Sequence, residues 1–191
     1  MKNNQSERKK SSMPLRINRK SFLGVLSLIA QEFIESISTK FKFKKPKEEE
    51  VLSNVRLKAE SNNPNSVLSI IDNYAYKKTF LMNIGDEKGL LLENAISESK
   101  AKNILELGVY LGYSTIRILK NLDNNSKLTS IESNNKFAEI SSEIINIAGL
   151  SDKHNLIIGK SNEVIPNLNE KYDFIFMDHW KDLYLKDLKS L

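Results

Sequence analysis

From residue 103 onward the sequence predicts an α/β fold, a parallel β-sheet covered by helices on both faces, and three observations carry that expectation. Strand-like runs at 104–107, 127–131, 155–158 and 172–177 alternate with helical runs starting near Tyr113, Asn135 and Ser161. Alternation of this kind builds parallel sheets. The runs are largely apolar at successive positions, FIFM at Phe174–Met177 most clearly, as strands buried on both faces are. The first run also ends in a glycine turn, Gly108 and Gly112 at a spacing of four, that opens into a helical segment. Backbone N–H groups in such a turn can face a ligand with no side chain intervening.

In chain order, residues 1–20 are polar, basic and rich in Ser and Asn, which predicts disorder. The apolar run 22–30, interrupted by Gly24 and Ser27, is too short to span a bilayer. With Phe33, Ile34 and Ile37 it predicts an amphipathic helix of about four turns. Lys40, Lys42, Lys44, Lys45 and Lys47 then surround Phe41 and Phe43. This pattern over residues 21–47 suits an anionic membrane surface, where each Lys contributes about 1 kcal/mol. A weak signal anchor, a targeting peptide or a helix packed on the following domain are the alternatives.

Charge divides the chain at the same place. Residues 1–47 carry 12 Lys/Arg against 3 Glu, whereas the remainder carries 17 against 21. The basic pI therefore belongs to an extension, and a nucleic-acid partner is not expected for the mildly acidic domain of 48–191. There is no cysteine, which excludes disulfides, thiol catalysis and Cys-based zinc sites and suits a cytoplasmic compartment.

The segment 48–100 reads as a helical lead-in to the βα core of 103–191. Val51, Leu52, Val55 and Ala59 share one helical face, and Val67, Leu68, Ile70, Ile71 and Tyr74 another, with Pro64 in the turn between them. A third helix after Asp86 carries Leu90 to Leu92, Ala95 and Ile96. Before it, FLMNIG at 80–85 has no helical period and reads as an apolar loop, either a pocket wall or plain packing.

Two further features carry chemistry. Glu132 terminates the second strand 24 residues beyond Gly108, the separation at which a carboxylate takes a ribose diol in nucleoside-binding α/β folds. A packing turn is the alternative reading of the glycines. Asp178 leaves the fourth strand within DHWKD, and Lys181 three residues later can turn back toward the same place. A strand-end carboxylate suits Mg²⁺ and a neighbouring Lys suits a general base. A capping Asp followed by solvated Lys181 and Asp182 is the bland alternative. His154 reads as a loop residue, and Trp180 as either core or pocket wall. Gly108, Glu132, Ser161 and Asp178 all fall at carboxyl ends of strands, where such sheets bind ligands.

The stretches SVLSIIDNYAYKK, MNIGDEKG, LELGVYLGYS, IESN, GKSNEVIP and FMDHWKDLYL resemble the catechol O-methyltransferase family across about residues 66–188. The resemblance implies a Rossmann-like methyltransferase fold that moves a methyl group from S-adenosylmethionine to a catechol hydroxyl with Mg²⁺. Carried over, Glu132 would hold the ribose, while Ile84, Glu106, Gly108, Tyr110 and Ser114 would surround the methionine end. Ser161, Asn162 and His179 would lie around the adenine, with Trp180 at the pocket edge. Asp178 would ligate Mg²⁺ beside the cofactor, and Lys181 would be the base. Met82 and Phe80 would line the catechol mouth, although the family usually has Trp at the latter position.

The family pattern continues beyond residue 191 with three further strands, an Asp-Asn pair of metal ligands and a Glu for the second catechol hydroxyl. Four of the expected seven strands are thus present, and the expectation is a C-terminally truncated sequence. Two functions follow: a catechol O-methyltransferase-type enzyme, a monomer when the domain is complete, or a remnant that binds cofactor or a partner without turnover. The intact DHWK favours the first and the missing ligands favour the second.

Overall fold

The structure, a computed structural model, describes residues 45–191 together with Ala30, Phe33 and Ile34. The disorder expected for 1–20 and most of the amphipathic helix and membrane contact expected for 21–47 lie outside the described residues. Ala30, Phe33 and Ile34 are helical, and Phe33 and Ile34 are exposed. Among the described residues no helix is long and apolar enough to cross a membrane.

Helix α1 (Lys47–Lys58) starts directly after Pro46. Glu48, Glu49 and Glu50 in its first turn and Arg56 and Lys58 in its last match the helix dipole at both ends. It buries Val51, Leu52 and Val55. Helix α2 (Pro64–Lys77) has Pro at its first position and Asn63 as N-cap, whose Oδ1 accepts the Ser66 N–H at 3.1 Å. Its buried stripe is Val67, Leu68, Ile71 and Tyr74, while Ile70, placed on the same face by the spacing, is only half-buried. Helix α3 (Gly85–Ser99) differs from expectation. Gly89, Leu92 and Ile96 face inward, whereas Leu90 and Leu91 are 54% and 68% exposed. Three adjacent leucines cannot all share one stripe at 3.6 residues per turn.

Strand β1 (Asn103–Leu107) leads through the glycine turn into α4 (Tyr113–Leu119), every residue of which is buried. Then come β2 (Lys127–Glu132), α5 (Asn135–Ile147), β3 (His154–Ile158), α6 (Ser161–Val164), β4 (Phe174–Met177) and α7 (Tyr184–Leu188). Asn134 caps α5, its Oδ1 accepting from the N–H groups of Lys136 and Phe137. The fourth strand starts two residues later than predicted. Asp173, which precedes it, accepts the N–H groups of Lys102 and Asn103 at 2.9 Å each and so ties the start of β1 to β4.

The sheet order is β3-β2-β1-β4, all parallel. The chain builds outward from β1 to β3 and then returns to the other side of β1, which makes the β1/β4 boundary a topological switch point. Crevices at such points, outside the carboxyl ends of the strands, are where open α/β sheets bind ligands.

The two faces are covered unequally. On one, Ile104 and Leu128 pack into a cluster with Val51, Ile71, Ile116 and Ile144 from the helices, all at 0% exposure. On the other, Leu105, Leu107 and Ile131 meet Ile165, with Ile157, Val164, Leu168, Tyr172 and Met177 around them. Full burial of an Ile or Leu is worth about 1.5–3 kcal/mol, so the first cluster supplies most of the stabilisation. The expected two-sided burial holds for the central strands only. Ile158 on β3 and Ile175 on β4 are 53% and 39% exposed, because both lie in outer strands of this sheet.

Candidate functional site

The strand ladders run one residue past the carboxyl edge and bring four loop starts together. Gly108 N–H donates to the Ile131 carbonyl, Asp178 N–H to Leu107 and Gly159 N–H to Glu132, each at 2.9 Å. Gly108 has φ +90°, and a Cβ there would come within 3.0 Å of the His179 nitrogen and Cα. Only glycine allows the β1 and β4 loops to approach this closely. Gly112 (φ +79°) and Tyr110 (φ +53°) complete the turn in left-handed conformation. The Tyr110 hydroxyl donates to Glu48 at 2.7 Å, and its ring meets Phe137 edge-on.

Glu132 stands at the predicted strand end. Its Oε2 accepts the N–H groups of Val109 and Tyr110 at 3.0 and 2.9 Å, and its Oε1 accepts that of Asn134 at 2.9 Å. The carboxylate therefore shapes the glycine turn, and Oε1, with one donor, keeps capacity for another.

Glu106 is fully buried at the end of β1. Its hydrogen bonds all come from hydroxyls. Ser114 donates to Oε1 at 2.6 Å, while Thr115 and Ser130 donate to Oε2 at 2.7 Å each. Burial pushes its carboxyl up to about 7, with the charge of Asp178 adding to the rise and the three hydroxyls opposing it. Asp178 itself is exposed at the end of β4. Glu132, Glu106 and Asp178 thus place three carboxylates on the carboxyl edge of three adjacent strands.

His179 turns inward beside this edge. Its Nε2 lies 2.7 Å from Oδ2 of the fully buried Asp187, and its ring stacks at a tilt on Tyr184, 5.1 Å between centroids. His179 Nδ1 and Asp187 Oδ1 are both buried without a hydrogen-bond partner. Trp180 is 75% exposed, and Lys181, also exposed, starts the turn Lys181–Leu183. Ser161 is buried at the start of α6 and Asn162 is exposed. No hydrogen bond joins Ser161, Asn162, Trp180 or Lys181 to Glu106 or Glu132 among the described residues. In the loop 80–84, Leu81 is buried, Phe80 and Ile84 are half-buried and Met82 is 48% exposed, and Gly85 already starts α3.

Several participants carry no signature in the sequence. Ser130 and Thr115 are hydroxyls in otherwise apolar elements, and Asp187 sits within the last short helix. His154 differs from the loop residue expected: it is the first residue of β3, with Nε2 2.9 Å from Ser130 Oγ. Burial holds its ring down at about 4.

A family model described as O-methyltransferase matches residues 58–191. The catechol O-methyltransferase of Mus musculus is 40% identical over 146 residues, covering 74% of this chain and 55% of that protein. The catechol O-methyltransferase of Bos taurus is 35% identical over 175 residues, covering 89% of this chain and 64% of that one. The chain thus spans between about half and two-thirds of the length of these curated relatives. An O-methyltransferase structure from Bacillus cereus, in complex with SAH, superposes with a TM-score of 0.57 at 23% identity, over 82% of this chain and 65% of that one. At that identity the likeness shows the shared Rossmann-like α/β fold.

Proposed function

Because the chain belongs to the O-methyltransferase family, we propose that it binds S-adenosylmethionine at the glycine turn and moves its methyl group to a hydroxyl of a small catechol-like acceptor. The observation that carries this reading is the set of three carboxylates, Glu132, Glu106 and Asp178, around a turn that Gly108 keeps free of side chain. The proposed ligand has a sulfonium, an ammonium and a ribose diol, and each finds an acceptor there. Oε1 of Glu132 takes the diol. Glu106, with Ile84, Gly108, Tyr110 and Ser114, surrounds the cationic methionine end. Ser161, Asn162 and His179 surround the adenine, and the unpartnered His179 Nδ1 is the buried polar atom such a base would approach. Trp180 borders the pocket, and Phe80 and Met82 line the acceptor mouth.

In the transfer, Lys181 Nζ receives the proton of the acceptor hydroxyl. The oxygen then forms its bond to the methyl carbon as the carbon–sulfur bond breaks, leaving S-adenosylhomocysteine. Holding oxygen, carbon and sulfur in line recovers about 7–11 kcal/mol of the barrier. The Mg²⁺ of this reading would be held by Asp178 with substrate and water oxygens. Among the described residues no group of three His, Cys, Asp or Glu could hold a metal ion. They do not by themselves make a metal site.

A second reading is cofactor or partner binding without turnover. Methylation of catechol, assayed with Mg²⁺ and with EDTA, separates the two: turnover supports the enzyme, and saturable cofactor binding with no product supports the binding module. The same proposal divides the chain into the basic extension 1–47 and the methyltransferase domain 48–191. It puts the protein in the cytoplasm, a monomer when the domain is complete, with residues 21–47 touching an anionic membrane surface. The support for the membrane contact is the concentration of Lys and Arg in the extension.

A further inference from the structure

Beneath α4 a line of polar groups crosses three strands of an otherwise apolar face. Glu106 on β1 and Ser130 on β2 are direct register partners. His154 on β3 pairs with Leu128, two residues before Ser130 on the same side of β2, and its ring reaches diagonally to the Ser130 hydroxyl. Ser130 Oγ therefore lies 2.7 Å from Glu106 Oε2 and 2.9 Å from His154 Nε2, and Ser130 and Glu106 are both fully buried.

A serine hydroxyl has one proton, and it cannot serve both neighbours. When Ser130 donates to the carboxylate, Nε2 of His154 must be the donor to Ser130. When Ser130 donates to Nε2, its oxygen is left to accept from Glu106, which must then be protonated. The protonation state of the ring nitrogen and the hydrogen-bonding role of Glu106 are thus two ends of one chain.

We propose that His154, acting through Ser130, is a positioning residue for Glu106: its Nε2–H commits the Ser130 proton to Oε2 and holds Glu106 as an acceptor-only carboxylate for a cationic ligand. Because burial holds the ring down at about 4, it is neutral at working pH and has a single N–H to place. Oε2 then carries the Ser130 and Thr115 donors and Oε1 carries Ser114, and the carboxylate, fully buried, acts on a ligand ammonium at the strand ends through its charge. The ligand part of this inference rests on the cofactor reading above.

Calorimetric titration of the 191-residue protein with S-adenosylhomocysteine tests it, using His154→Leu, Ser130→Ala and the double variant, each checked for folding by thermal melting. Each single variant is expected to weaken binding about tenfold, and the double variant no further than Ser130→Ala, as one chain of bonds requires. His154→Gln, whose amide can donate to the same hydroxyl, should recover most of the loss. Unchanged affinity in His154→Leu, or losses that simply multiply in the double variant, would overturn the relay. If the unsubstituted protein binds no S-adenosylhomocysteine, the cofactor reading fails, and the relay is still decided by ¹⁵N NMR of the His154 ring. An Nε2–H tautomer that shifts in Ser130→Ala supports it, and an Nδ1–H tautomer in the unsubstituted protein overturns it.

Discussion

Gly108 and His179 hold the two loops of the switch point in contact: a Cβ on Gly108 would sit 3.0 Å from both the nitrogen and the Cα of His179. The contact is backbone against missing side chain, so no rotamer change can relieve an added methyl. Gly108→Ala would also have to adopt φ +90°, which L-residues rarely take. The expected outcome is a loss of about 1–3 kcal/mol of stability and at least about tenfold weaker S-adenosylhomocysteine binding. Urea denaturation and calorimetry read the two effects separately.

Glu106 makes stability depend on pH. Its folded-state pKa of about 7 lies above the ordinary 4.5, so its contribution to stability is fully present below about 4.5 and is lost as pH rises through 7. The loss is on the order of 3 kcal/mol. His154 works in the opposite sense, since its pKa is held down from 6.5 to about 4 and its contribution is lost as pH falls through that window. Comparison with Glu106→Gln isolates the carboxyl. From pH 5 to pH 8 the unsubstituted protein should lose more stability than Glu106→Gln in urea denaturation, even though the substitution weakens cofactor binding. Equal pH dependence in the two proteins would refute the assignment.

A second buried network, away from the strand ends, supports α4. Arg117 is ion-paired with Glu93, which also meets Lys120 at 3.0 Å, and its guanidinium donates to the Tyr113 hydroxyl at 2.8 Å. That hydroxyl donates in turn to Asp72 at 2.6 Å. Burial and the Asp72 bond push the Tyr113 phenol up, which keeps it a donor. Glu93→Ala would leave the Arg117 charge buried without its carboxylate and is expected to cost about 3–5 kcal/mol by urea denaturation. Gly89→Ala would set a methyl against the buried Arg117 guanidinium and should destabilise by about 1–3 kcal/mol through the same arginine.

Lys181→Ala addresses the proposed base. Turnover of a catechol acceptor should fall by about 10² to 10⁴-fold, the usual worth of general-base catalysis, while S-adenosylmethionine affinity stays within about twofold. Undiminished kcat would assign the proton to another group.

Much of the fold is legible in the sequence because its cues are local. Pro64 announces the turn between the first two helices, Gly108 announces another, and the apolar stripe of Val67, Leu68, Ile71 and Tyr74 has the right period. At the site, Glu132 and Asp178 are legible because a carboxylate directly after an apolar strand has to lie at its end. Burial at the sheet margins was not legible, since Ile158 and Ile175 look like Ile131 in sequence and differ only in their place in the strand order. Nor were Asp187 and His154, whose partners His179 and Ser130 lie 8 and 24 residues away and meet them only once strands and helices are packed.

The cofactor site at the strand ends is tested most directly by calorimetric titration of S-adenosylmethionine into the 191-residue protein and its Glu132→Ala variant. The expected result is one saturable site in the former and its loss in the latter, because Glu132 both shapes the glycine turn and receives the ribose. Absence of binding at millimolar ligand, or equal affinity in a folded Glu132→Ala variant, would contradict a site built on this edge.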